Sequence, residues 1–212
     1  MSFEEVALTW RDGEVSGARH RTPGTPKATL VFAHGAGGSM KQPYNVALAD
    51  ALAATGVETW RFNFPYSEAG RRAPDKQDKL EACYWGVAKT VATEAGRLYL
   101  GGQSMGGRIA THIVADGFPA AGLYLQSYPL HPPGKPERLR DAHLPRIGAP
   151  MLFISGSRDA FATGDLLERT VAGLPSATLH RLEGADHSLG GGGRTRDQII
   201  ELVVTTITSW MG

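Results

Sequence analysis

Residues 98–108 read Leu-Tyr-Leu-Gly-Gly-Gln-Ser-Met-Gly-Gly-Arg, and this stretch joins an apolar run to a helical pattern. The run 98–100 is typical of a buried strand, whereas 109–114 continues with helical spacing. Between them, Ser104 lies in a Gly-x-Ser-x-Gly pattern whose two glycines permit a very sharp turn. Because the chain has 27 glycines, the strand and helix context carries more weight than the pattern alone. The stretch predicts a strand, a turn that exposes Ser104 as a nucleophile, and a helix; a tight turn without chemistry is the alternative.

Short apolar runs and helical patterns alternate along the rest of the chain. Successive parallel strands require crossover connections, so this alternation predicts an α/β fold with a mostly parallel central sheet and helices on both of its faces. The predicted strands are 28–32, 57–62, 97–100, 122–125, 151–154 and 178–182, and the predicted helices are 46–54, 79–92, 108–115, 165–171 and 197–210.

The N-terminal segment and the longest connection do not follow this alternation of strands and helices. Segments 4–9 and 14–20, around Asp12-Gly13, predict an N-terminal antiparallel hairpin. Segment 128–150 contains six prolines, which favours an irregular loop with at most one short helix and no sizeable lid. A length of 212 residues without a compositional break predicts a single domain, 1–212.

Composition limits the partners that we expect. The 22 basic and 21 acidic residues are interspersed and give a formal charge of +1, which argues against nucleic acid and an anionic membrane as partners. The acidic N-terminal residues and the lack of a long apolar stretch predict an unexported, cytoplasmic protein without a membrane span. A single cysteine, Cys83, excludes an intramolecular disulfide and fits a reducing compartment. Nothing in the sequence decides between a monomer and a homodimer.

Two candidate partners for Ser104 follow later strands. In an open parallel sheet, functional groups gather beyond the carboxyl ends of the strands. Asp159 follows the strand 151–154, and His187 follows the strand 178–182, which gives the chain order Ser, Asp, His. We expect His187 to act as the base and Asp159 to orient it. Asp186 is the second candidate for the orienting acid. It ranks below Asp159 because it is adjacent to His187 in sequence, and the side chains of adjacent residues usually point apart.

A glycine-rich turn supplies a fourth component. His34-Gly35-Ala36-Gly37-Gly38 follows the strand 28–32, and its backbone can approach a ligand closely. The amides of Ala36 and Met105 are the candidate oxyanion hole, with His34 bracing the loop.

Other residues near the strand ends suggest a pocket. Tyr66, Tyr128, Leu130 and Phe161 are the candidate substrate-binding residues. Arg71 and Arg72 leave a neighbouring strand end, but paired loop arginines are usually solvated. No histidine has metal-ligand spacing, and we expect neither a metal nor another cofactor.

These motifs together resemble the α/β-hydrolase superfamily, and the resemblance runs from Ala28 to Trp210. The chain is most similar to the small, lidless dienelactone-hydrolase-like and carboxylesterase-like members. Its His-Gly-Ala-Gly-Gly and Gly-Gln-Ser-Met-Gly-Gly-Arg segments also resemble a branch that includes a chromatin-complex scaffold subunit. Dienelactone hydrolases use cysteine as the nucleophile, so Ser104 departs from them and their substrate does not transfer.

The resemblance implies a serine hydrolase that cleaves small to medium ester or thioester substrates through an acyl-enzyme. Two other hypotheses remain open at this point. One is a non-catalytic scaffold that keeps the hydrolase fold. The other is the same triad in peptide hydrolysis, carbon–carbon bond hydrolysis or perhydrolysis.

Overall fold

A computed structural model describes residues 3–212. Eight strands form one sheet in the order β1-β2-β4-β3-β5-β6-β7-β8. Strands β3 to β8 are parallel to one another, and β1 and β2 form an antiparallel hairpin whose β2 also pairs antiparallel with β4. The strands are β1 Phe3–Trp10, β2 Gly13–His20, β3 Ala28–Ala33, β4 Val57–Phe62, β5 Leu98–Gln103, β6 Gly122–Gln126, β7 Met151–Gly156 and β8 Ala177–Leu182.

Helices connect these strands, as the alternating pattern predicts. The helices are α1 Pro43–Ala54, α2 Pro65–Glu68, α3 Gln77–Ala92, α4 Met105–Ala115, α5 Gly164–Ala172 and α6 Arg196–Met211, with a 3₁₀ turn at Leu144–Arg146. The predicted α/β class, the mostly parallel sheet and the N-terminal hairpin are confirmed.

The two faces of the sheet pack against different helices. In the buried strand β3, Leu30 and Phe32 face the core formed with α1 and α6. Val31 and Ala33 face the opposite core, which is formed with α3, α4 and α5. Because side chains alternate across a strand, one apolar run serves both layers. Helices therefore cover both faces of the sheet.

The order of the strands creates a crevice at one edge. From β3 the chain passes to β4 on one side, and the next parallel strand, β5, pairs with β3 on the other side. Such a reversal separates the loops that follow the two strands and leaves space between them. The glycine-rich turn after β3 and the turn after β5 border this space.

The structure corrects one local prediction and refines another. Residues 65–68, which lie outside the predicted helices 46–54 and 79–92, form the short helix α2, because Pro65 occupies its first turn and Tyr66 is buried. In segment 128–150, the one regular element is the 3₁₀ turn. Within residues 3–212 no sizeable lid lies between β6 and β7.

Across residues 3–212, none of the helices combines the length and the apolar character that crossing a bilayer requires.

Candidate active site

Ser104 lies on the sharp turn between β5 and α4. Its backbone has φ 51° and ψ −115°, an unusual conformation for a residue with a side chain. The turn is possible because Gly106 packs against the end of β3: a Cβ atom there would clash with the carbonyl oxygen of Ala33 and would lie 2.7 Å from that of His34. The amide of Ser104 donates to the carbonyl of Gln126, 2.8 Å away, which ties the turn to β6. The local fold thus holds Ser104 in a strained, partly exposed position.

His187 and Asp159 come together beside Ser104. The Nε2 atom of His187 lies 2.9 Å from Ser104 Oγ, and its Nδ1 atom lies 2.8 Å from both carboxylate oxygens of Asp159. The Asp159 side chain has no solvent exposure, whereas that of His187 is 27% exposed. The residues that the sequence assigns to a triad therefore form one continuous hydrogen-bonded chain.

The loop after β7 fixes the Asp159 carboxylate. Its Oδ1 atom accepts a hydrogen bond of 2.8 Å from the amide of Phe161. The Phe161 ring lies against the imidazole of His187, with 4.2 Å between ring centroids. A carboxylate with fixed acceptors holds the imidazole in one orientation.

Asp186, the second candidate, faces a different group. Its Oδ1 atom accepts from the amide and hydroxyl of Ser188 and from the amide of Gly190. The hydrogen bonds from Ser188 lower the pKa of the Asp186 carboxyl below its usual value. Asp186 therefore braces the loop that carries His187, and Asp159 is the carboxylate that contacts the imidazole.

The glycine-rich turn after β3 is held from below by aromatic side chains. His34 is buried, its Nδ1–H donates to the carbonyl of Gly35, and its Nε2 accepts from the amide of Phe64. The hydroxyl of Tyr66 donates to the Gly35 carbonyl at 3.3 Å and accepts from the amide of Gly37 at 3.2 Å. Burial lowers the pKa of His34 to about 4, so the ring is neutral and suits both partners. His34 is a brace, as the sequence predicts.

Ala36 and Met105 carry the amides that the sequence predicts as an oxyanion hole. Both line the same pocket as the serine. Met105 opens α4, where first-turn amides have no acceptor within the helix. Among residues 3–212, neither amide donates to another backbone carbonyl. Two residues that line the pocket beside Ser104 therefore have backbone amides that donate to no backbone carbonyl.

The pocket beside Ser104 has a volume of about 320 Å³. Of the four candidate substrate-binding residues, Phe161 lies on its wall. The structure buries the other three, Tyr66, Tyr128 and Leu130, and they do not line this pocket. The Tyr128 hydroxyl instead donates to the carbonyl of Arg140 at 2.6 Å, so this ring supports the wall from inside. Strand-end position alone did not reveal which way these side chains point.

Sequence reasoning missed two cations on the wall, Arg108 and Arg140. Arg108 is one helical turn after Ser104, and this i, i+4 spacing is a signal that would have placed it beside the serine. Arg140 lies within the proline-rich segment, where no periodic pattern predicts direction. Arg71, by contrast, pairs with Asp75 at 2.7 Å.

A second pocket, of about 310 Å³, includes Gln103 and Ser188 but no atom of the Ser104 triad. In the part of the chain that the structure describes, no group of three or more histidine, cysteine, aspartate or glutamate side chains is arranged to hold a metal ion.

These features are typical of an α/β hydrolase: the sheet is mostly parallel, a serine lies on the turn after β5, and an acid and a histidine follow β7 and β8. The model of a family described as "Alpha/beta hydrolase domain" matches residues 26–212. The chain therefore belongs to the α/β-hydrolase domain family. Its fold and its family both support hydrolase activity.

Solved structures agree with this assignment. An α/β serine hydrolase homologue from Coxiella burnetii is 22% identical, with a TM-score of 0.80 and coverage of 98% of both chains. A dienelactone hydrolase from Anabaena variabilis is 19% identical, with a TM-score of 0.78 and coverage of 99% of this chain and 96% of that one. An α/β serine hydrolase without a lid from Xanthomonas campestris is 18% identical, with a TM-score of 0.73 and coverage of 99% and 95%. The predicted resemblance to small, lidless members is confirmed at the level of the fold.

Proposed function

We propose that this protein is a serine hydrolase that cleaves carboxylic esters or thioesters through an acyl-enzyme. The observation that carries the proposal is the hydrogen-bonded chain from Ser104 through His187 to the buried Asp159, at the edge of an open pocket. Nucleophile, base and orienting acid in this geometry are what acyl transfer by a serine requires.

In the first step, Ser104 Oγ attacks the substrate carbonyl. An ionised carboxylate only accepts hydrogen bonds, so Asp159 selects the tautomer of His187 that carries hydrogen on Nδ1. The Nε2 lone pair then faces the hydroxyl of Ser104, 2.9 Å away, and takes its proton as the new carbon–oxygen bond forms. Asp159 stabilises the resulting imidazolium.

The tetrahedral intermediate places negative charge on the former carbonyl oxygen. The free amides of Ala36 and Met105 border Ser104, and we assign them as the oxyanion hole. The N-terminal end of α4 adds positive potential at Met105.

The second half of the cycle reverses the proton transfer. His187 donates its Nε2 proton to the leaving alcohol or thiol, and the acyl group stays on Ser104. Water then attacks the acyl-enzyme, and His187 accepts the proton of that water. His187 next donates this proton to Ser104 Oγ as the carbon–oxygen bond to the serine breaks, which releases the acid and restores the enzyme. A pocket of about 320 Å³ without a lid supports small to medium acyl groups.

The test is covalent labelling by a fluorophosphonate, followed by hydrolysis of p-nitrophenyl esters of increasing chain length. We expect wild type to be labelled and Ser104→Ala to be unlabelled. The substitution should lower kcat by roughly 10⁴-fold or more, because loss of a triad member leaves only the residual catalysis of the oxyanion hole and binding. Ser157→Ala, which changes a hydroxyl that bonds to Glu183 outside the triad, is the matched control.

Two results would contradict the proposal. Equal rates of ester hydrolysis by wild type and Ser104→Ala would show that Ser104 is not the nucleophile. Absence of labelling in well-folded wild type would favour the scaffold hypothesis.

A further inference from the structure

Two guanidinium groups share the wall of the pocket that contains Ser104. Arg108 comes from the second turn of α4, and Arg140 comes from the irregular segment between β6 and β7. Both side chains are partly exposed, so their charges reach the pocket. Two unrelated parts of the chain therefore bring positive charge to one place.

Neither of these arginines is neutralised by the protein. Among residues 3–212, no ion pair with an N···O distance of 4.0 Å or less joins Arg108 or Arg140 to a carboxylate. The arginines that do have such a partner are Arg11, Arg19, Arg21, Arg71, Arg146 and Arg181.

Uncharged groups hold the two arginines in place instead. Arg108 Nη1 donates to Gln77 Oε1 at 3.0 Å and lies 3.2 Å from Nε2 of His112. Arg140 Nη1 donates to the carbonyl of Pro129 at 3.4 Å. A guanidinium has five N–H donors, so several donors of each group remain available.

The two charges also repel each other. Burial, and then the positive charge of Arg108, lower the pKa of Arg140 below its usual value. Like charges held in one pocket cost free energy, and an anion bound between them would offset that cost.

One acid lies on the same wall, but its charge is already compensated. Asp75 pairs with Arg71 at 2.7 Å and lies 3.7 Å from Nζ of Lys79. The pocket therefore keeps a net positive charge from Arg108 and Arg140. The rest of its wall includes apolar side chains of Leu80, Met105 and Phe161.

We propose that Arg108 and Arg140 form a subsite for an anionic oxygen group, a carboxylate or a phosphate, on the substrate whose ester carbonyl reaches Ser104. The inference rests on the proposed function and names its substrate class: esters with an anionic group separated from the carbonyl by an apolar spacer. Guanidinium groups suit this role because their paired donors match the oxygens of either anion.

The test compares matched anionic and neutral esters. For an anion in the alcohol part, the substrates are 4-acetoxybenzoate, 4-acetoxyphenyl phosphate and, as the neutral reference, methyl 4-acetoxybenzoate. For an anion in the acyl part, monomethyl glutarate is compared with methyl 5-methylhexanoate, in which an isopropyl group replaces the carboxylate. Each kcat/KM is divided by the rate of alkaline hydrolysis of the same ester, which corrects for leaving-group differences.

We expect wild type to prefer an anionic ester by about tenfold or more in at least one series, as charge-assisted hydrogen bonds imply. Arg108→Gln and Arg140→Gln should each reduce the preference several-fold, chiefly through KM, and Arg108→Lys should restore part of it. Added salt should weaken the preference, since it screens partly exposed charges. Arg169→Gln, which removes an exposed arginine of α5 outside the pocket, should leave it unchanged.

The two series also identify the anion. A preference for the benzoate or glutarate substrates assigns a carboxylate, and a preference for the phosphate substrate assigns a phosphate. Serine-dependent hydrolysis with no anionic preference in either series would overturn the subsite while leaving the proposed function intact. A preference that survives both glutamine substitutions would overturn it as well. Loss of all activity on Ser104→Ala is a separate result that tests only the proposed function.

Discussion

At the scale of single residues, the Asp159 carboxylate sets which ring nitrogen of His187 carries hydrogen. Asp159 is fully buried and lies 2.8 Å from His187 Nδ1, whereas Asp186, the neighbour of His187 in sequence, bonds to Ser188. A buried acceptor keeps hydrogen on Nδ1 and leaves Nε2 free for Ser104. Catalysis in our proposal therefore depends on Asp159 as an acceptor and not only on its position.

Asp159→Asn tests this dependence, because the amide keeps the shape but offers a donor as well as an acceptor. We expect kcat for p-nitrophenyl acetate to fall by about 10³- to 10⁴-fold, since the wrong tautomer places hydrogen on Nε2. Asp186→Asn removes the other candidate charge and should cost at most about tenfold. A larger loss from Asp186→Asn than from Asp159→Asn would reverse our assignment of the acid.

At the scale of elements, the short helix α2 supports the turn that follows β3. Its Tyr66 is fully buried, and the hydroxyl spans the carbonyl of Gly35 and the amide of Gly37, on either side of Ala36. Burial raises the pKa of Tyr66 to about 12, so the hydroxyl keeps its proton and its role as donor. Tyr66, which the sequence predicts to bind substrate, is therefore buried and bonded to the turn that carries Ala36.

Tyr66→Phe removes these two hydrogen bonds and keeps the buried ring. We expect kcat for p-nitrophenyl acetate to fall about tenfold, because a looser turn positions the Ala36 amide poorly. The free energy of unfolding, from urea titration, should fall by about 1 kcal/mol.

Tyr99→Phe is the matched control for this change. Tyr99 lies in the amino-terminal half of β5, far along the strand from Ser104, and its hydroxyl accepts a hydrogen bond from Arg97. That variant should alter stability without lowering kcat. Equal kcat in Tyr66→Phe and wild type would contradict the role of α2 in positioning the turn that carries Ala36.

At the scale of the whole molecule, buried neutral histidines link folding to pH. Burial lowers the pKa values of His34, His112 and His143 to about 4 each. In an unfolded chain, a histidine pKa is about 6.5. Between these values the unfolded state binds more protons than the folded state, so acid favours unfolding.

The free energy of unfolding should therefore be steady above about pH 6.5 and should fall as the pH decreases from there towards 4. Each fully linked proton contributes a slope of up to about 1.4 kcal/mol per pH unit. Urea titrations between pH 7.5 and 4.5 measure this slope, and His34→Gln should make it shallower. Should that variant be too unstable, His143→Gln provides the same comparison. Constant stability from pH 7 to pH 4.5 would contradict the linkage.

The amino-acid sequence by itself determined the order of strands and helices, the parallel core of the sheet, and the positions of Ser104, Asp159 and His187 at strand ends. It did so because apolar periodicity and glycine turns act over a few residues, and because parallel strands bring distant carboxyl ends to one edge. Only the tertiary structure decided that Asp159 contacts the imidazole, that Tyr66, Tyr128 and Leu130 face inward, and that Arg108 and Arg140 share the pocket. Those outcomes depend on which way side chains point after distant segments pack, and short-range sequence patterns do not encode that direction.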